Sequence, residues 1–391
     1  MKKIASLLLL GLLAVLLGGS VGAVAAGFLH FIEWAQHLLW EVISVNLPWQ
    51  ALFVCTLGGL LVGLCQRFLG DHPKGIQEAV VEIRQTGRLD YVHLPQGMTT
   101  ASVSLIFGAS LGPESAIMDL LGGLSTWVGD VLRSIRENLN QAQVSESGSR
   151  LVRLTNAWPN GLAFLVGALA FGRSLNGLYS GGLLHFTYVF QWMDLLWSIP
   201  LGLLGAGAGL LYTFLQKQTE RWVEPLKDHP IRRSLLGGFV LGLAALFLPQ
   251  VLFSGQHALQ PAYDQALQLG FWNLLFIGLA RLLLTALLLS TGWKGGQFLP
   301  IMFAAATLGL AMSVPFPAVP APVAVLAAMA ALIAVVLPKP LIALVLMGLL
   351  FPLNTLGISL VGVGVVVFGK RLWLRTVQPA QQSRPASAAS D

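Results

Sequence analysis

Apolar runs alternate with short polar connections along almost the whole chain, at about residues 4–32, 48–65, 99–128, 158–172, 174–190, 194–215, 234–253, 270–291, 298–313, 320–337 and 340–369. A helix needs roughly 20 apolar residues to cross a bilayer, and several runs are too short or too long for one straight span. Pro113, Pro300, Pro338 and Pro340 interrupt apolar surroundings. In lipid, backbone groups freed by such breaks are tolerated only where they line a cavity or lie buried in protein. The pattern predicts broken helices at membrane depth. Small-residue runs such as Gly205-Ala206-Gly207-Ala208-Gly209 predict close helix approach.

The polar connections are Arg67–His93, Arg133–Arg153 and Lys217–Arg233. The last holds Lys217, Arg221, Lys227, Arg232 and Arg233, the middle one Arg133, Arg136, Arg150 and Arg153, so both are expected on the cytoplasmic side. Met1-Lys2-Lys3 and Leu8-Leu9-Leu10 imitate a signal peptide, but the apolar character runs on to Trp34, which predicts a retained first helix. Val377–Asp391, rich in Gln, Ser, Ala and Pro, is expected to be disordered and too short for a folded regulatory domain. A weak symmetry relates the halves. Gly112-Pro113 opens an apolar helix in the first, Gly295–Pro300 opens one in the second, and further breaks follow near Asn176 and Pro338-Lys339-Pro340. Paired interrupted segments point to a mid-membrane binding site in an inverted-repeat transporter.

Composition strengthens this picture. Only 10% of the 391 residues are charged and 55% are hydrophobic, against about 25% charged in a soluble domain. With a mean hydropathy of +0.74, a soluble enzyme is excluded. The net charge of +6 lies in connections between apolar runs, which fits positive cytoplasmic loops rather than nucleic acid. Cys55 and Cys65 lie in or beside one apolar run and read as small buried hydrophobes. Trp34, Trp40, Trp49, Trp192 and Trp197 sit near segment ends, as an interfacial belt would. No Walker A loop, metal-ligand spacing or nucleophile elbow occurs, and no cofactor is implied.

Glu114 is the sharpest chemical feature. A carboxylate inside an apolar helix start costs about 2.5–3.5 kcal/mol on insertion scales, so it should face a cavity or a partner. The plainer reading is a first-turn acid favoured by the helix dipole, with Ser115 beside it. Free N–H groups at a helix start form an anion site without a basic side chain. Three such starts are candidates: Lys74-Gly75-Ile76, Gly112-Pro113 and Gly296–Pro300. Glu114 could compete with an anion held there and so act as a gate. Arg281, inside an apolar helix, should pair with a carboxylate or carbonyl, Asp119 being one candidate.

The stretch from Ala280-Arg281 to Gly296-Gln297-Phe298-Leu299-Pro300 resembles the CLC chloride channel and transporter family, whose GxFxP motif follows an apolar helix. Ser254-Gly255 and the basic segment Lys217–Arg233 sit where that family has theirs. Gly112-Pro113-Glu114 resembles its GREGP region in a divergent SLGPE form, and Gly75-Ile76 its GSGIP region. The likeness runs from about Ala14 to Trp373. It implies an all-α, multi-pass membrane fold without CBS domains: one transmembrane domain over 1–376, with inverted repeats of broken, tilted helices over about 10–190 and 194–373, and the tail over 377–391. It also implies a homodimer with one anion pathway in each half. Gln297 and Phe298 match the family's anion-binding backbone positions, and Trp373 falls about where the family keeps an anion-touching Tyr.

The departures carry as much information. Directly before Gly-Pro, where GREGP has its gating glutamate, stands Leu111. Either Glu114 substitutes for the gate or the gate is absent. Lys74 replaces the Ser of GSGIP. Leu175-Asn176-Gly-Leu-Tyr-Ser-Gly resembles the family's FNAPLAG stretch, and from there the proton-transfer glutamate of the exchangers falls near Thr187 or Tyr188. Neither shuttles a proton at neutral pH, since Tyr titrates near about 10. His185 is the nearby group with a suitable intrinsic pKa. The expected function is passive movement of small inorganic anions, chloride first, across the cell membrane. Proton-coupled chloride or fluoride exchange and a transport-dead scaffold are the alternatives.

Overall fold

A computed structural model describes residues 2–42, 49–72, 86, 88–140, 184–186 and 188–382. Among them the chain is helical and holds no strand. Helix α1 (Lys2–His37) widens into a π-turn at Leu38–Val42 and is followed by α2 (Gln50–Leu69), α3 (Leu94–Ile106) and α4 (Glu114–Asn140). Then come α5 (Trp192–Val223), α6 (Pro230–Phe247), α7 (Gln256–Asp264) and α8 (Ala266–Ser290). The last four are α9 (Phe298–Ser313), α10 (Ala321–Val336), α11 (Pro340–Leu350) and α12 (Leu356–Gln382). Six described segments are long and apolar enough to cross a membrane.

Most breaks follow the chemistry of Pro and Gly. Pro113 stands immediately before α4, and Pro338 and Pro340 bracket the gap between α10 and α11. Pro300 falls in the first turn of α9, where its missing N–H costs nothing. The single run expected over 99–128 divides at Phe107–Pro113, where Gly108 takes φ +88. The run over 340–369 likewise divides, at Phe351-Pro352. Pro200, by contrast, lies inside α5, and that helix carries on through Lys217 and Arg221 of the expected polar connection. Helix α12 continues through Val377 to Gln382; residues 383–391 lie outside the described set.

The chain forms two compact units. One comprises Met1–Gly181, Glu220–Ser254 and Leu287–Leu299; the other Gly182–Thr219, Gly255–Ala286 and Pro300–Asp391. In the first, α2 and α6 meet along glycines. A β-carbon at Gly59 would come within 2.5 Å of the Ser234 carbonyl oxygen, and one at Gly63 within 2.5 Å of Ile231. Val21, Ala25 and Leu29 of α1 pack on Ile117, Leu120 and Leu121 of α4. Trp293, 1% exposed, fills the space over Gly58, Gly237 and Gly238 and donates its indole N–H to the Ser234 carbonyl at 2.9 Å. Trp293→Ala should cost about 3–5 kcal/mol of stability. Thermal unfolding in detergent measures this, and an unchanged midpoint would contradict the wedge.

In the second unit α10 is buried nearly all round. Gly309 of α9 lies against Ala324, Gly205 of α5 against Ala328 and Gly362 of α12 against Ala327. The small-residue run of α5 is thus a packing surface, as expected. Arg281 is fully buried, with its guanidinium 4.4 Å over the Phe303 ring and against Gly255. Cys55 and Cys65 are free thiols, Cys55 buried and Cys65 half-buried. Trp34, Trp49 and Trp192 are exposed. Trp40 is half-buried, and its indole N–H donates to the Ile106 carbonyl at 2.9 Å at the end of α3.

Candidate functional site

The site grows from two helix starts in the first unit. Helix α4 begins at Glu114, directly after Gly112-Pro113, and α9 begins at Phe298, directly after Gly296-Gln297. The two lead-in glycines hold each other in an antiparallel bridge. The Gly112 N–H donates to the Gly296 carbonyl at 2.8 Å and the Gly296 N–H donates back at 2.5 Å. Both positions need glycine for space: a β-carbon on either would overlap the Glu114 carboxylate.

That carboxylate lies over the bridge and reaches the other helix start. Its Oε1 accepts the Leu299 N–H at 2.5 Å, and Leu299 is the second residue of α9. The first N–H groups of a helix have no intrahelical partner and carry its positive dipole end, so a carboxylate is a natural occupant. The second oxygen, Oε2, is buried and has no hydrogen-bond partner among the described residues. A side-chain carboxylate therefore caps the start of α9. Leu111 is 0% exposed and packs on Gly295, so it is a core residue.

The approach to α9 is held from several sides. The Lys294 N–H donates to Ser104 Oγ at 3.0 Å, and Lys294 Nζ pairs with Asp71 Oδ1 at 2.8 Å. Gln66 donates its amide to the Gly292 carbonyl and accepts from Arg233 Nη2, the latter at 3.0 Å. Burial pushes the Asp71 carboxyl up, but Lys294 first, then Arg233 and His72, outweigh it and hold the group below its ordinary 3.8. The pair is then intact at neutral pH, and its contribution disappears only as pH falls below about 4.

Of the residues singled out in the sequence, Glu114, Gly112, Pro113, Gly296, Gln297 and Phe298 come together here. Lys74, Gly75 and Ile76 lie outside the described residues, as does Thr187. Trp373 lies on α12, its side chain likewise outside the description. His185 is exposed, and its backbone N–H and C=O bond to the Gln260 amide at 2.7 and 3.2 Å. Tyr188 donates its hydroxyl to the buried Asp194. Burial, and then that acceptor, push the Tyr188 hydroxyl above its ordinary 10, so it keeps its proton. Leu299 was not singled out, because a backbone donor leaves no trace in side-chain chemistry. Asp71 lacked a signal for the same kind of reason: its partner is far away in sequence.

Known proteins share the fold of this chain. The family profile described as voltage gated chloride channel matches residues 144–368, more than half of the chain and all of it beyond Glu114. The candidate ion-transport protein YfeO of Salmonella choleraesuis (strain SC-B67) is 25% identical over 365 residues, covering 85% of this chain and 87% of that one. YfeO of Salmonella paratyphi A (strain ATCC 9150 / SARB42) gives the same figures: 25% over 365 residues, 85% and 87%. A slow cyanobacterial Cl−/H+ antiporter superposes with a TM-score of 0.71 at 20% identity, covering 96% of this chain and 98% of the antiporter. A CLC-type fluoride/proton antiporter superposes with a TM-score of 0.68 at 18% identity, covering 93% and 95%. At these identities the two structures share a fold with this chain.

Proposed function

The chain belongs to the voltage-gated chloride channel family, whose members are channels or transporters rather than enzymes, and on that footing we propose that it conducts small inorganic anions, chloride first, with Glu114 as the gate. It is a multi-pass membrane protein. The observation that carries the gating role is the Glu114 carboxylate on the Leu299 N–H. A chloride ion shedding its water needs such donors in exchange, and it can take them only where the carboxylate has left. Neutralising the carboxylate by protonation weakens its hold, because charge-assisted hydrogen bonds are the stronger kind.

Counted from the glutamate rather than from Gly-Pro, Gly112-Pro113-Glu114-Ser115-Ala116 fits the length of GREGP with Glu114 at the glutamate position. The contact with Leu299 supports that register over the one that puts Leu111 there. Passive conduction is supported by Tyr188, whose hydroxyl stays protonated against Asp194 and so relays no proton at neutral pH. The plasma membrane is the proposed location and a homodimer with one pathway per subunit the proposed assembly, both on family likeness.

The test is chloride efflux from liposomes holding the purified protein, with external pH recorded at the same time. Chloride is expected to leave without driven proton movement. Uphill proton movement on a chloride gradient would replace conduction by proton-coupled exchange, and absence of efflux for every anion tried would indicate a scaffold.

A further inference from the structure

The loop that leads into α9 carries more positive charge than its hydrogen bonds use. Lys294 is two residues upstream of Gly296; its side chain is 17% exposed and pairs with Asp71, which is 74% exposed. Arg233, in the first turn of α6, reaches the same loop. A β-carbon on Gly292 would sit 2.6 Å from its Nη2, and it acts electrostatically on the same Asp71 carboxylate. Its Nη2 is used on Gln66, while its Nε is buried with no hydrogen-bond partner among the described residues. A guanidinium N–H left without an acceptor is unfavourable. Lys294 thus pairs with an acid that is the exposed member of the pair, and Arg233 lies against Gly292 of the same loop.

We propose that Arg233 and Lys294 form a second seat for a small inorganic anion, upstream of the α9 start, and that Asp71 is its displaceable resting occupant. The reasoning rests on the conduction pathway proposed above. The sheltered cation stays in place while the exposed acid swings away, which leaves Lys294 Nζ, with the Arg233 charge on the same loop, for the arriving ion. The competing explanation is a plain tie, in which Asp71–Lys294 only fastens the exit of α2 to the α9 loop.

Charge and tie separate in three variants. Initial chloride efflux is measured against chloride concentration for Asp71→Asn, Lys294→Gln and the swap Asp71→Lys with Lys294→Asp. Removing the resident acid should lower the half-saturating chloride about threefold and removing the cation should raise it about threefold, the size expected of an exposed ion pair. The swap keeps the tie but moves the cation to the exposed side, and should behave like Lys294→Gln. Equal shifts for the first two variants, no shift, or parent-like behaviour of the swap would overturn the proposal. Crystals of Asp71→Asn soaked in bromide give an independent reading that needs no transport. An anomalous peak between Arg233 and Lys294 is expected, and none at saturating bromide would sink the second seat. If instead Glu114→Gln leaves efflux and its pH response untouched, the gating role fails while the bromide experiment still decides this one.

Discussion

Glu114→Gln raises chloride efflux at neutral pH about tenfold or more and removes its dependence on pH. The carboxamide can still touch the Leu299 N–H, but the charge that made the contact strong is gone. Hydrogen bonds to charged groups contribute about 1.5–3 kcal/mol against about 1 for neutral ones, and 1.4 kcal/mol is a factor of ten in occupancy. The parent, in contrast, should speed up on acidification as the carboxylate is neutralised in place. Efflux from liposomes between pH 4.5 and 8, parent and variant side by side, decides the matter. A variant that is slower than the parent at every pH, or that keeps the parent's pH response, would remove Glu114 from the gate.

Gly296→Ala should disturb the same seat by space rather than charge. The added methyl occupies the volume of the Glu114 carboxylate, so either the carboxylate leaves Leu299 or the Gly112–Gly296 bridge opens. Overpacking of this kind costs about 1–3 kcal/mol. In a Glu114→Ala background the overlapping atoms are gone, so the same substitution should cost little, and the difference is a coupling energy of about 0.5–3 kcal/mol. Unfolding midpoints of the four proteins in detergent supply the cycle. Strict additivity would mean that glycine at this position serves something other than the carboxylate.

Much of this was readable from the chain because membrane physics is strict. Spans, broken helices and the special status of an acid at an apolar helix start all follow from the cost of unpaired polar groups in lipid. Pro113, Pro338 and Pro340 marked their breaks correctly, since a ring on nitrogen cannot sit in a helix interior without cost. Pro200 sits inside α5 without ending it, as the unbroken apolar run over 194–215 implies. What Trp40 touches was hidden as well, because the carbonyl that its indole N–H meets is 66 residues away. The partner of Glu114 was hidden for the same reason: local pattern gives the start of each helix, and only the folded chain says which two starts face one another. Leu111, directly before Gly-Pro, is a core residue by its burial, which a motif read along the chain does not reveal.

The first unit is assembled from three stretches of chain, the last of which is Leu287–Leu299. Glu114 and the N–H it occupies are 185 residues apart in sequence. During synthesis, α4 is therefore made long before its partner exists, and contacts this distant form late. An unfinished chain, or one cut short by damage to its message, can insert several helices without ever completing the seat. Such a fragment carries the Glu114 carboxylate without the N–H that receives it.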